Sequence, residues 1–423
     1  MSTRFWFYVE PYIHLSCKSD DCLLYNTLTG KALIYGQAPD ISGLVHRLTS
    51  EKNLGVIRIS ATDLQDQRIA TFMEEVRNGY MGDLLDTAWS EAKPIQMVHR
   101  PKIQKDADRL KKDADRSIGE GQSAYLREVT FHINAACQEG CPGCWDYYRQ
   151  FLCCTCDGQG REEMTPGALS GLLEQMKVSR ISRINILGGN IFLHSRLQPI
   201  VEILKTEACE VAFYLHYTHL GCADAPMDLL DFDGARYYVM VTPPFLPDRF
   251  RAARNRIVGR EGRTTVVFVV RNDRDMDQAT AMSEMCGTAA CGIKPYYTGG
   301  NTDFFRQSVF MEIDDILGAR PAQKEIYANQ VLNRLNFGRL TILNSGQVHA
   351  NVNHPPLGDW ENDPLRQILY REMDSGKSWR RTRSGVEPCR DCVFSALCPP
   401  LGNYEFALKR NDLCHVKGRG GIA

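Results

Sequence analysis

Cys137, Cys141 and Cys144 form a Cys-x3-Cys-x2-Cys triplet directly after a strand-like run. Three thiolates so close can hold three irons of a cubane cluster and leave the fourth iron open. An open iron is what binding and one-electron reduction of S-adenosylmethionine (SAM) require. The spacing departs from zinc patterns, which are built on Cys-x2-Cys pairs. Buried, inert cysteines are the plain alternative. Cys153, Cys154 and Cys156 follow the triplet as further ligands, redox-active thiols or packing residues, and their types do not decide among these.

A second set lies near the end of the chain: Cys389-x2-Cys392-x5-Cys398, then Cys414. Four thiolates would ligate a cluster completely, leaving it a role in electron transfer or structure. A four-cysteine zinc site has compatible spacing, and unliganded thiols are a third reading. Between the two sets stands Leu187-Gly188-Gly189-Asn190. The glycine pair permits close approach of backbone to a ligand. Asn190 can accept a hydrogen bond from an ammonium group, without the charge assistance of an acid. A plain turn is the other reading.

The elements around these residues read as three units. Residues 1–100 read as an α+β unit, with strands at Phe5–Glu10, Tyr12–Ser16, Leu23–Gly30 running into a turn, and Ala32–Tyr35. Ile69, Phe72, Met73, Val76 and Tyr80 follow helical spacing and mark a core face. Residues 101–122 alternate acids and bases as a solvated linker. From 123 to 310, strand candidates Glu128–Ile133, Arg183–Leu187, Val211–Tyr217, Ala235–Val241, Thr264–Val270 and Ile293–Tyr297 alternate with helices such as Pro166–Val178 and Leu197–Thr206. Thr165 caps the first of these helices and Pro166 takes its first position. This alternation implies a parallel α/β sheet, open or rolled into a partial barrel, with chemistry on the loops after its strands. Residues 311–423 change character, with helices at Asp315–Leu317 and Gln323–Leu335 and a hairpin turning at Ser345-Gly346.

Composition narrows the function classes. The 423 residues carry a formal net charge of -1, so no global field draws the chain to nucleic acid or anionic lipid. No apolar run has the length of a membrane span, and the first residues do not read as a signal peptide. Sixteen cysteines, grouped mainly in two places, point to metal thiolates in a reducing cytoplasm. His132, His194, His216 and His219 read as packed or surface residues, and Lys377–Arg383 as a basic solvated loop.

The order of strand, triplet, alternating α/β unit and cysteine-bearing tail resembles the radical-SAM peptide maturases with a SPASM-type C-terminal domain. Leu24-Tyr-Asn-Thr-Leu-Thr-Gly30 and Cys398-Pro-Pro-Leu-Gly-Asn-Tyr-Glu405 carry the resemblance toward maturases of double-glycine-leader peptides, a set that includes pseudo-radical-SAM partners. The resemblance implies a partial (β/α)6 barrel, an N-terminal winged-helix-like α+β domain and a small SPASM-like cysteine domain. It implies a [4Fe-4S] cluster on Cys137, Cys141 and Cys144, with SAM on the open iron, cleaved to a 5'-deoxyadenosyl radical. Gly188, Gly189 and Asn190 would help seat SAM. Two departures stand out: the family usually has an aromatic residue where this chain has Gly143, and an acid where it has Asn190. Two cysteines of a full SPASM pattern are replaced, by Asn351 and Gly402. One auxiliary [4Fe-4S] cluster, or zinc, is then expected on Cys389, Cys392, Cys398 and Cys414. The implied partners are a precursor peptide with its leader, an electron donor and a second maturase chain. The leader would add a strand near Tyr8–Leu15 or Leu23–Asn26.

Overall fold

The computed structural model describes residues 4–95, 122–156, 163–221 and 226–416. The charged segment read as a linker lies, except for its last residue, outside the described residues. Fifteen strands are described: β1 Arg4–Val9, β2 Ile13–Lys18, β3 Asp21–Asn26, β4 Ala32–Tyr35, β5 Val56–Ser60, β6 Gly82–Asp86, β7 Glu128–His132, β8 Arg183–Leu187, β9 Glu210–His216, β10 Ala235–Val241, β11 Thr264–Val270, β12 Ala290–Pro295, β13 Arg339–Ile342, β14 Gln347–His349 and β15 Gly358–Asp359. Nine of them form one sheet in the order β12-β11-β10-β9-β8-β7-β13-β14-β15.

From β7 to β12 the strands are parallel neighbours in chain order. The connecting helices Pro166–Gln175, Leu197–Lys205 and Pro247–Ile257 cover one face. Leu169 and Leu172, Ile200 and Leu204, and Phe250 and Ala253 pack onto Phe131, Ile186, Phe213, Val239 and Phe268 in a single core. Between β7 and β12 the sheet is parallel, with strand and helix alternating in an α/β arrangement. Alternation along the strands then sends Thr130, His132, Asn185, Tyr214, His216 and Tyr238 to the opposite face. That face is mixed and aromatic, and the helix Cys144–Gln150 lies across it through Tyr147 and Tyr148.

The helix Pro166–Gln175 begins as expected, with the Thr165 hydroxyl accepting from the Ala168 N–H at 3.1 Å and Pro166 at the first position. β12 starts three residues before the expected strand. Ala290-Cys-Gly has weak strand preference, and pairing of Ala290 with Thr265 on β11 recruits it. The helix expected over Gln323–Leu335 ends at Asn329. The Asn333 N–H leaves the helical pattern for the Trp379 carbonyl, and its side chain accepts from the Leu335 and Asn336 N–H groups, a local competitor for helix.

In the N-terminal unit β1 lies between β5 and β6, and β2-β3-β4 form a second antiparallel sheet. The helix Gln67–Asn78 buries Phe72, Met73 and Val76, while Tyr80 stands exposed beyond its end. Leu23–Asn26 is corrected as an edge: β3 is paired on both sides, which leaves its backbone no room for an added strand. Tyr8–Val9 is likewise interior. Ile13–Leu15 lies on β2, an edge of its sheet. Cys17 and Cys22 face each other across the β2–β3 hairpin and form a disulfide; the other described cysteines are not in disulfides. The outer face of β3, Leu23 and Tyr25, packs on Ile316, Ile326, Phe394 and Leu397, joining this unit to the C-terminal one. No helix among the described residues is long and apolar enough to cross a membrane.

Candidate functional site

The cysteine triplet hangs from the carboxyl end of β7, held by the loop after β8. The Gly189 N–H donates to the Asn134 carbonyl at 3.2 Å and the Asn190 N–H to the Ala136 carbonyl at 2.6 Å. The Asn134 side chain returns a bond to the Asn190 carbonyl at 2.9 Å. A Cβ on Gly188 would sit 2.5 Å from the Asn134 carbonyl oxygen, and one on Gly189 2.2 Å from that of Ala136. Two loops meet here backbone to backbone, which only glycine permits. The Asn190 side chain is buried and accepts from the Phe192 N–H at 3.1 Å, capping the short turn Ile191–Leu193.

Gly143 occupies a left-handed conformation (φ 71°), and a Cβ there would meet the Tyr296 hydroxyl at 3.2 Å. This turn cannot take the aromatic residue of the resembling family without strain. Immediately after it, Cys144 starts the helix that covers the inner sheet face. Glu139, inside the turn, pairs with Arg249 at 3.5 Å.

Each outer thiol has polar company. Cys137 Sγ lies 3.6 Å from His219 Nε2. Cys144 Sγ lies 3.6 Å from the buried Thr155 hydroxyl and accepts from the Cys156 N–H at 3.3 Å. Burial pushes the Cys141 thiol up to about 12, and the neighbouring Cys144 and Cys137 add to the shift. Burial also raises Cys144, while the Cys156 N–H and Thr155 pull it down. Cys153 and Cys154 are raised well above the usual thiol value by burial and by the triplet thiols. Segment 153–156 therefore returns over the triplet, a proximity that the spacing of these residues did not reveal.

Cys389, Cys392, Cys398 and Cys414 line one pocket. The first three come from consecutive turns, and Cys414 is set by its bridge to Met311. Arg383 reaches into the same wall, with Nη1 3.7 Å from Cys389 Sγ and Nη2 2.6 Å from Glu405 Oε1. Burial pushes Cys398 up to about 12 against the pull of Arg383. The reading of Lys377–Arg383 as a solvated basic loop is corrected here. Trp379 is fully buried with its indole N–H on the Arg339 carbonyl, and Arg383 is buried against Glu405. A core Trp two residues after Lys377 was the available signal. Asn351 and Gly402 also hold structure. Asn351 bonds the Asn336 and Asn403 side chains at 2.9 and 2.7 Å, and the Gly402 N–H donates to Glu405 at 2.9 Å.

Among the described residues, no three His, Cys, Asp or Glu side chains are drawn about one point as a single ion requires.

No family model matches the chain, and no curated protein matches it. Solved structures do. The chain aligns over 97% of its length with all of Streptococcus suis SuiB bound to its precursor peptide SuiA, at 10% identity and a TM-score of 0.49. SuiB bound to S-adenosylmethionine aligns over 98% of its chain and 96% of this one, at 11% identity and 0.46. SuiB itself aligns at 11% identity and 0.49, covering 97% of this chain.

The histidines differ in their surroundings. His194 is packed as expected, with Nε2 3.0 Å from the Met164 carbonyl. His132 is buried beside Tyr148 with Nε2 unpartnered. His216 Nε2 lies 2.9 Å from the Thr242 hydroxyl. His219, read as packed or surface, is buried and reaches the first triplet thiol.

Proposed function

We propose that this chain is a radical-SAM peptide maturase acting on a ribosomally made precursor peptide. The observation that carries the reading is the place of the triplet: three free thiols at the carboxyl end of β7, above the mixed inner face of a parallel sheet. Cys137, Cys141 and Cys144 would hold a [4Fe-4S] cluster, and Cys389, Cys392, Cys398 and Cys414 an auxiliary one. Together with SAM, the first cluster supplies reductive one-electron cleavage and hydrogen abstraction. This chain's residues fix the geometry and exclude water. Gly188 and Gly189 lock the triplet loop against β8, and the turn Gly188–Asn190 would help seat SAM by the close approach its glycines permit. Tyr147 and Tyr148 close the inner face from above. The precursor's leader would pair with β2, an edge strand of its sheet among the described residues.

Asn190 favours a second reading, a pseudo-radical-SAM partner that binds leader peptide or supports a true maturase. Its side-chain oxygen is committed to the Phe192 N–H rather than to a ligand amine. Anaerobic reconstitution with iron, sulfide and zinc counts, then dithionite, SAM and a 5'-deoxyadenosine assay, separates the two. About eight irons, two cubanes' worth, with cleavage supports the enzyme. Clusters without cleavage support the partner, and zinc alone overturns both.

A further inference from the structure

We infer that His219 and Thr155 are hydrogen-bond donors to the ligand sulfurs of the triplet and hold the potential of its cluster up. The inference rests on the cluster assigned above. The His216 N–H points at His219 Nδ1 from 3.4 Å, so Nδ1 is an acceptor and the proton of the neutral ring sits on Nε2. That Nε2–H faces Cys137 Sγ at 3.6 Å. As a thiol, Cys144 can donate to the Thr155 hydroxyl. As an iron-bound thiolate it can only accept, and the hydroxyl, a free rotor 3.6 Å away, turns to donate. The Cys156 N–H already donates to the same sulfur at 3.3 Å.

The placement is built into the fold. His219 stands in the short helix Tyr217–Leu220 directly after β9, and Thr155 is pinned by its own N–H to the Gly188 carbonyl at 2.8 Å. Both side chains are buried, so water does not replace their bonds. Reduction adds an electron that spreads over the iron and its thiolates. Donor dipoles aimed at those sulfurs stabilise the more negative state, so removing one makes reduction harder.

The test is an EPR-monitored redox titration of the reconstituted full-length protein, with Cys389→Ala added throughout if the second cluster overlaps. Thr155→Val should lower the equilibrium constant for reduction roughly tenfold, the scale of one hydrogen bond to a charged group. His219→Leu should do the same at the other sulfur, and Thr155→Ser should keep the wild-type midpoint. Full iron content with unchanged midpoints in Thr155→Val and His219→Leu overturns the inference alone. Loss of the cluster in both Thr155→Val and Thr155→Ser also overturns it, because packing would then be the role of the residue. A wild-type chain that takes up no iron overturns the cluster assignment and, with it, this one.

Discussion

Arg383 brings a full charge into the wall of the four-thiol pocket, and Glu405 answers it at 2.6 Å with both side chains buried. Removing one partner strands the other charge. Arg383→Met should destabilise the protein by about 3–5 kcal/mol, whereas Arg383→Met with Glu405→Leu should recover most of the loss. Urea unfolding of the three proteins reads this directly. Equal losses in single and double variants would put the effect in packing instead. Cys141 makes the opposite kind of prediction. It is half-buried in a turn, so Cys141→Ala should leave the melting curve of the metal-free protein nearly unchanged. The same substitution should remove about four irons and end 5'-deoxyadenosine formation; persistence of that product would sink the triplet's role.

At the scale of elements, the contact between the β7 and β8 loops is where sequence and chemistry meet. Gly189→Ala drives a methyl group to 2.2 Å from the Ala136 oxygen. The triplet loop must shift, with an expected loss of about 2 kcal/mol or more and a reduced iron uptake. Gly171→Ala, in the open helix Pro166–Gln175, meets nothing within 4 Å and should gain about 0.5–1 kcal/mol. Similar unfolding midpoints for the two variants would refute the tight contact. The glycine pair and the strands carrying it were legible because local patterns encode them: β8, β10 and β11 begin and end where alternation places them. What stayed hidden is tertiary. β3 is made interior by its chain neighbours β2 and β4, and Cys153–Cys156 fold back over the triplet within a short loop, so both turn on how turns close rather than on residue type. The approach of His219 to Cys137 joins residues 82 positions apart, and no spacing records it. Arg383 was misread for the same reason, since its partner Glu405 is 22 residues away.

At the scale of the whole molecule, the packed inner face of the sheet gives the fold a pH dependence. His132 is buried against Tyr148 with its Nε2 unpartnered, and burial, then His349, depresses it to about 3. In the unfolded chain a histidine titrates near 6.5. Between these values the unfolded state binds the extra proton and the folded state does not. The stabilisation is therefore complete above about pH 6.5 and is lost as pH falls from there toward 3. Each unit in that window costs about 1.4 kcal/mol for one such group, so His132 alone should weaken the fold by about 2 kcal/mol between pH 6.5 and 5. His216, buried and depressed to about 3 as well, acts in the same direction. His132→Phe keeps a ring beside Tyr148 and removes the titration. Urea unfolding at pH 7, 6 and 5 should then show the variant and wild type close at pH 7 and diverging below it, with the variant losing stability more slowly. Parallel curves would mean that His132 accepts its proton in the folded state, and that water reaches the inner face beneath the helix Cys144–Gln150.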